Sequence, residues 1–195
     1  MRNKIGTFCM LLGFVLLLAA LLLLLHNREE ARQAEESVNR LMPLIVESIE
    51  EQRQQEILPD PMEEEMPEVL IDGQAYIGYL SIPDLNLDLP ILSDWDYEKL
   101  LLAPCRYSGT LKGNDLVLMA HNYVQHFARL HELSVGNRLT FTDMDGIVTE
   151  YEVVGSDVLP PEAVEEMCAG DFDLTLFTCN YSGSSRITIY CERTE

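Results

Sequence analysis

Basic side chains are scarce in this chain. Thirteen Lys and Arg stand against 33 Asp and Glu, which leaves a formal net charge of −20 and a sequence pI ≈ 4.4. That balance excludes a nucleic-acid-binding surface, which needs clustered cations. It also excludes adhesion to anionic lipid through charge alone. Histidine is rarer still, at four, so any imidazole acid–base group must come from very few candidates. The five cysteines include no CxxC pair, and no Cys/His spacing suits a zinc ion. In an oxidising exterior, Cys105, Cys168, Cys179 and Cys191 are numerous enough for two disulfides. Cys105, Cys168 and Cys191 read instead as small buried hydrophobes. No internal repeat is present.

Charge is missing altogether from Ile5 to Leu25, an almost wholly apolar run. About 20 apolar residues in a helix span a bilayer. Arg2 and Lys4 precede the run and Glu29 and Glu30 follow it, so the N-terminus is expected in the cytoplasm and the rest outside. A cleavable signal peptide would carry a shorter apolar stretch ending in small residues. Here five leucines, Leu21 to Leu25, close the run, so residues 1–26 are read as an uncleaved anchor.

Glycine is absent from Asn27 to Leu58, a stretch rich in Glu, Gln, Arg and Ala. Val38, Leu41, Ile45 and Ile49 recur at spacings of three and four, the stripe of an amphipathic helix. Pro43 should kink that helix or begin a second one, so a helical stalk broken in two is expected. From Pro59 to Pro67 prolines and acids alternate without period, as in an extended linker. Residues 27–73 are thus assigned as stalk and linker.

Residues 74–195 read as one mainly β domain. Short β-like runs separated by turn residues cover Ala75–Ile82, Leu85–Ile91, Asp115–His121, Arg138–Thr142, Ile147–Val154, Leu174–Cys179 and Arg186–Cys191. Helical pieces are expected at Asp96–Leu102, His126–Leu133 and Pro161–Cys168. Strands at this spacing suggest a small barrel or sandwich.

Chemistry concentrates near the end of the chain. Cys179 closes the apolar run Thr175-Leu176-Phe177-Thr178-Cys179, and Arg186 opens the next strand after a Gly/Ser-rich loop. A regular hairpin would set the two face to face, with Cβ atoms about 4.5–5.5 Å apart. A cation there favours an anionic sulfur nucleophile and can stabilise an oxyanion on a substrate carbonyl. A thiol nucleophile also needs a proton shuttle. His26 sits at the membrane edge, out of reach. His121 ends an alternating strand at its junction with a loop, a common place for a working side chain. His126 and His131 fall among Phe127, Leu130 and Leu133 and read as structural. Cys179, His121 and Arg186 are therefore the candidate catalytic residues, and no metal or cofactor site is assigned.

These residues resemble the sortase family of Gram-positive cell-surface transpeptidases. Thr175–Cys179 matches the family's TLxTC motif, Arg186 its active-site arginine, and Asp115–Asn122 its strand ending in GHN or GHR, with Ala120 in place of glycine. Ile77–Pro83 and Leu89-Pro90-Ile91 are similar to its opening strands. Asp60-Pro61-Met62 resembles the DP-aromatic lid of pilus-building members, with Met62 replacing the aromatic. The resemblance implies an eight-stranded β-barrel outside the membrane. It implies a secreted protein substrate with a C-terminal LPxTG-like sorting signal, a thioacyl intermediate on Cys179, and an acceptor amine from peptidoglycan precursor or a pilin lysine. No cofactor is implied. Some members bind calcium through loop acids, but Asp143 and Asp145 read as solvated charge. The short loop between Cys179 and Arg186 implies a low groove wall. A membrane-tethered cysteine peptidase and a non-catalytic anchored scaffold stand as alternatives.

Overall fold

The computed structural model describes residues 2–54 and 66–194. Most of the acidic linker, including the segment containing Met62, lies outside the described residues. Nine strands form a single sheet: β1 (Val69–Ile71), β2 (Gln74–Ile82), β3 (Leu87–Leu92), β4 (Cys105–Ser108), β5 (Leu116–Ala120), β6 (Arg138–Asp143), β7 (Val148–Leu159), β8 (Leu174–Cys179) and β9 (Arg186–Arg193). Eight of them close into a barrel in the order β2-β3-β4-β5-β8-β9-β7-β6, with β6 returning to β2. β1 adds a short ladder along the first part of β2. Closure leaves the eight barrel strands without the free edges whose unpaired backbone groups would invite aggregation, and the edge that remains is the three-residue β1.

The seam of the barrel depends on a glycine. Gly78 pairs with Asp143 across β2 and β6, at φ +142°. A Cβ at Gly78 would lie 2.0 Å from the carbonyl oxygen of Thr142, so only glycine lets the two backbones approach this closely. Asp143, expected as solvated charge, is instead buried. Its Oδ1 accepts the Ile147 N–H at 2.8 Å and ties the β6–β7 turn. Burial raises its pKa above the ordinary carboxylate value, against the lowering effect of that bond.

β8 is apolar on both faces because both faces are covered. Leu174 and Leu176 enter the main core with Leu116, Leu118, Phe141, Tyr151 and Ile189. Phe177 points the other way and packs with Val117 and Met167. Such a strand reads as a continuous hydrophobic run rather than an alternation.

One helix, α1 (Arg2–Gln54), contains both the apolar run and the stalk. Ala34, Val38, Leu41, Ile45 and Ile49 are all buried against the barrel. The expected break at Pro43 does not occur. A proline inside a helix costs about 3 kcal/mol. Leu41 and Ile45, one on either side of it and fully buried, offset this at about 1.5–3 kcal/mol each. Pro43 itself faces outward. The N-terminal part of α1 is long and apolar enough to cross a membrane, with mean hydropathy 3.1 over an 18-residue window and no burial within the protein.

The three expected helical pieces are shorter than anticipated. Two are 3-10 turns, Lys99–Leu101 and Leu130–Glu132, and the third is α2 (Val164–Met167). In the second case, i→i+3 bonds from His126 to Tyr123 and from Leu130 to Phe127 wind the chain tightly over the core.

Candidate active site

Parallel pairing of β5 with β8 brings distant parts of the chain together. Ala120 is the register partner of Thr178, and the Thr178 hydroxyl donates to the Ala120 carbonyl at 2.8 Å. His121 and Cys179 each follow by one residue. They therefore leave the same end of the sheet on adjacent strands. β8 and β9 then pair antiparallel without a register break, and Cys179 stands directly opposite Arg186. The hairpin loop is held by its own polar atoms. Asn180 N–H donates to the Ser185 carbonyl at 3.0 Å, and Asn180 Oδ1 accepts from Ser182 Oγ and Ser185 N–H. Arg186 Nη1 donates to the Gly183 and Ser185 carbonyls at 3.3 and 3.4 Å. Among the described residues it makes no ion pair, so the guanidinium is not neutralised by a carboxylate.

Cys179, His121 and Arg186 line one groove of about 200 Å³. Its apolar side is built by Trp95, Tyr107, Met119, Met167 and Phe177. Trp95 stacks on Tyr107 at 5.6 Å, and Tyr107 meets Phe177 edge-on at 5.3 Å. The sequence reading missed this aromatic wall. Its signal was the chain's lone tryptophan in the polar stretch Ser93-Asp94-Trp95-Asp96-Tyr97, whose nearness to Cys179 only the tertiary fold reveals. β4, which carries Tyr107, was missed because Cys105–Ser108 is only four residues long, too short for its alternation to stand out, and it pairs with β3 through one residue.

The three candidate histidines part company. His121 is half-buried at the groove. Burial lowers its pKa, and the carboxylate of Glu30 on α1 acts in the opposite direction. His126 is wholly buried with no hydrogen-bond partner on either ring nitrogen. Burial, and secondarily the neighbouring His121, pulls its pKa down to about 3. His131 lies at the surface with Nδ1 against the Ala128 carbonyl at 2.9 Å. His26 is closer to the site than its sequence position suggests. It bonds Glu30 at 3.2 Å. Glu30 accepts from the Tyr123 hydroxyl at 3.1 Å, and the Tyr123 ring lies 5.0 Å from that of His121. Burial and the Glu30 carboxylate push the Tyr123 phenol up to about 12, so it stays a donor.

All five cysteines are free thiols. Cys105 and Cys191 are buried and their pKa values are pushed up to about 12, by burial above all. Cys168 is only partly covered, beside the Ser108 hydroxyl at 3.6 Å. No group of three His, Cys, Asp or Glu side chains arranged to hold a metal occurs among the described residues.

A thiol, a guanidinium and an imidazole in one groove at the rim of a closed β-barrel are the groups that cysteine acyl transfer requires. The sortase-domain family model matches residues 80–194, more than half of the chain, and the chain belongs to the sortase family of cysteine transpeptidases. Among solved structures, it is similar to sortase C1 from Streptococcus agalactiae, with 20% identity over 84% of this chain and 98% of that one at TM-score 0.59. Sortase C from Clostridium perfringens SM101 shares 24% identity over 82% and 90% at TM-score 0.55. A lid mutant of sortase A from Corynebacterium diphtheriae shares 18% over 80% and 95%, also at 0.55. At these identities the likeness speaks for the fold. No curated protein sequence matches the chain.

Proposed function

We propose that this protein is a membrane-anchored extracellular transpeptidase acting on an LPxTG-like C-terminal sorting signal. The observation that carries the reading is the unbroken β8–β9 register. It sets Cys179 against Arg186, beside the strand end that delivers His121.

In this reading the Cys179 thiol gives its proton to His121, and the sulfur attacks the carbonyl carbon of the signal's threonine. Arg186 lies across the hairpin to stabilise the oxyanion of the tetrahedral intermediate. The C–N bond breaks as His121 gives its proton to the leaving amine. A thioester remains on Cys179. An acceptor amine, from peptidoglycan precursor or a pilin lysine, then attacks that carbonyl. His121 takes its proton, and the Cys179 sulfur leaves as the new amide forms. Every bond change is accounted for without a cofactor. The apolar wall of Trp95, Tyr107 and Phe177 suits the aliphatic part of such a signal. The apolar N-terminal part of α1 serves as the anchor, its N-terminus on the cytoplasmic side.

Incubation with LPxTG-type peptide libraries and an added amine, read by mass spectrometry, tests this. Transfer product and a thioacyl adduct on Cys179 are expected, and Cys179→Ala should abolish both. Hydrolysis alone, whatever the amine, would make the protein a tethered peptidase. An untouched library would leave a non-catalytic scaffold.

A further inference from the structure

The helix that would anchor the protein also sets the height of its groove. α1 is continuous from the apolar run into the part that docks on the barrel. Its first tie to the barrel beyond the apolar run is the Glu30–Tyr123 hydrogen bond. Glu30 is five residues past Leu25, an axial rise of about 7.5 Å. The headgroup layer on each side of the hydrocarbon core is roughly 5–7 Å thick. Tyr123 is thus carried at the outer boundary of that layer. From there α1 runs along the barrel to its far end, where Arg53 and Ile49 lie against Gly146 in the β6–β7 turn. Arg53 is about 42 Å beyond Leu25 along the axis.

A second observation concerns charge. Two of the segments at the site are the loops that follow β5 and β8, Asn122-Tyr123-Val124-Gln125 and Asn180-Tyr181-Ser182-Gly183-Ser184-Ser185. Neither carries a charged side chain, in a protein of net charge −20. The other two segments that line the groove are acidic, with Asp94, Asp96 and Glu98 around Trp95 and Tyr97 in one and Glu162, Glu165 and Glu166 around Pro161 and Val164 in the other. Val124 and Tyr181 are strongly exposed, at 58% and 93%. Tyrosine and small apolar side chains suit the membrane–water interface, whereas carboxylates near anionic lipid are repelled.

We propose that the 122–125 loop, at the mouth of the groove, rests on the lipid headgroups of the membrane that α1 spans. His121 and Cys179 then open at the bilayer surface, and the β6–β7 turn points away from it. This placement rests on reading α1 as an uncleaved anchor.

The test uses the full chain in phosphatidylcholine–phosphatidylglycerol vesicles doped with lipid carrying a nitroxide on its headgroup. Val124→Trp and, separately, Ile147→Trp are made in a Trp95→Phe background, so each protein has one tryptophan. Fluorescence quenching at position 124 should exceed that at 147 at least twofold. Equal quenching at the two positions overturns the placement. A seven-residue helical insertion after Asn27 lifts the barrel by about 10 Å and should reduce quenching at 124 to the level at 147. Unchanged quenching there would mean that the helix does not set the height. Alkaline carbonate washing separates the two failures. Release of the chain into the wash sinks the anchor reading, whereas a retained chain with equal quenching sinks only the placement.

Discussion

Two histidines five residues apart answer to different physics. His121 keeps an edge on the groove, and its imidazolium is disfavoured by burial but favoured by the Glu30 carboxylate. Replacing Glu30 with Gln removes the favourable part, so His121 should titrate lower still than in the parent protein. Histidine ring-proton NMR across pH 4 to 8 reads this directly, and an upward or absent shift would mean that Glu30 does not act on the imidazole. His126 is neutral when folded, with its pKa held far below the ordinary 6.5. Below that ordinary value the unfolded chain takes up a proton that the folded chain refuses. Stability therefore falls with pH between about 6.5 and 3, by about 1.4 kcal/mol per pH unit at most. His126→Met, which also removes two unpartnered nitrogens, should lose less stability than the parent between pH 7 and 5. Urea unfolding at the two pH values gives the comparison, and parallel losses in both proteins would exclude His126 as the acid-sensitive group.

At the scale of elements, barrel closure and register matter more than any strand's own propensity. Gly78→Ala forces a Cβ into the Thr142 carbonyl at a positive φ. About 3 kcal/mol or more of stability should be lost, together with slowed-exchange amides in β2 and β6. Chemical denaturation with hydrogen exchange measures both, and a neutral substitution would show that the β2–β6 seam gives way easily. The strands with clear periodicity or long apolar runs were legible: β2, β5, β6, β8 and β9 fall within a residue or two of expectation. β7 runs five residues further than expected, to Leu159, because Ser156–Leu159 pair with the start of β9. The exposed residues there carry no local strand signal. β1 and β4 were illegible because their identity comes from the neighbour they pair with. The continuous α1 was hidden by Pro43, whose helix-breaking tendency is local while its compensation, the burial of Leu41 and Ile45, is tertiary.

The whole molecule carries a net charge of −20, and most of the ion pairs among the described residues join two exposed side chains. Arg32 with Glu29 and Glu36, and Arg129 with Glu132, lie on the surface, where such pairs contribute little. Self-repulsion is the larger electrostatic effect. Raising sodium chloride from 50 to 500 mM shortens the Debye length from about 14 Å to about 4 Å and should raise the melting temperature. Thermal unfolding followed by circular dichroism checks the direction, and a fall with salt would mean that the surface pairs outweigh the repulsion.

Sequence alone determined the chemistry on offer: a motif cysteine, an arginine one short loop away, a histidine at a strand end, and an apolar run ahead of an amphipathic stripe. These are local properties, carried by residue type and spacing. Tertiary structure decided what stands next to what. The parallel β5–β8 pairing, which joins residues nearly 60 positions apart, puts His121 beside Cys179. The 93–108 segment folds an aromatic wall over them, and α1 reaches from the apolar run to Tyr123 through Glu30. No spacing along the chain encodes those neighbours, because they follow from how the barrel closes and which faces it buries.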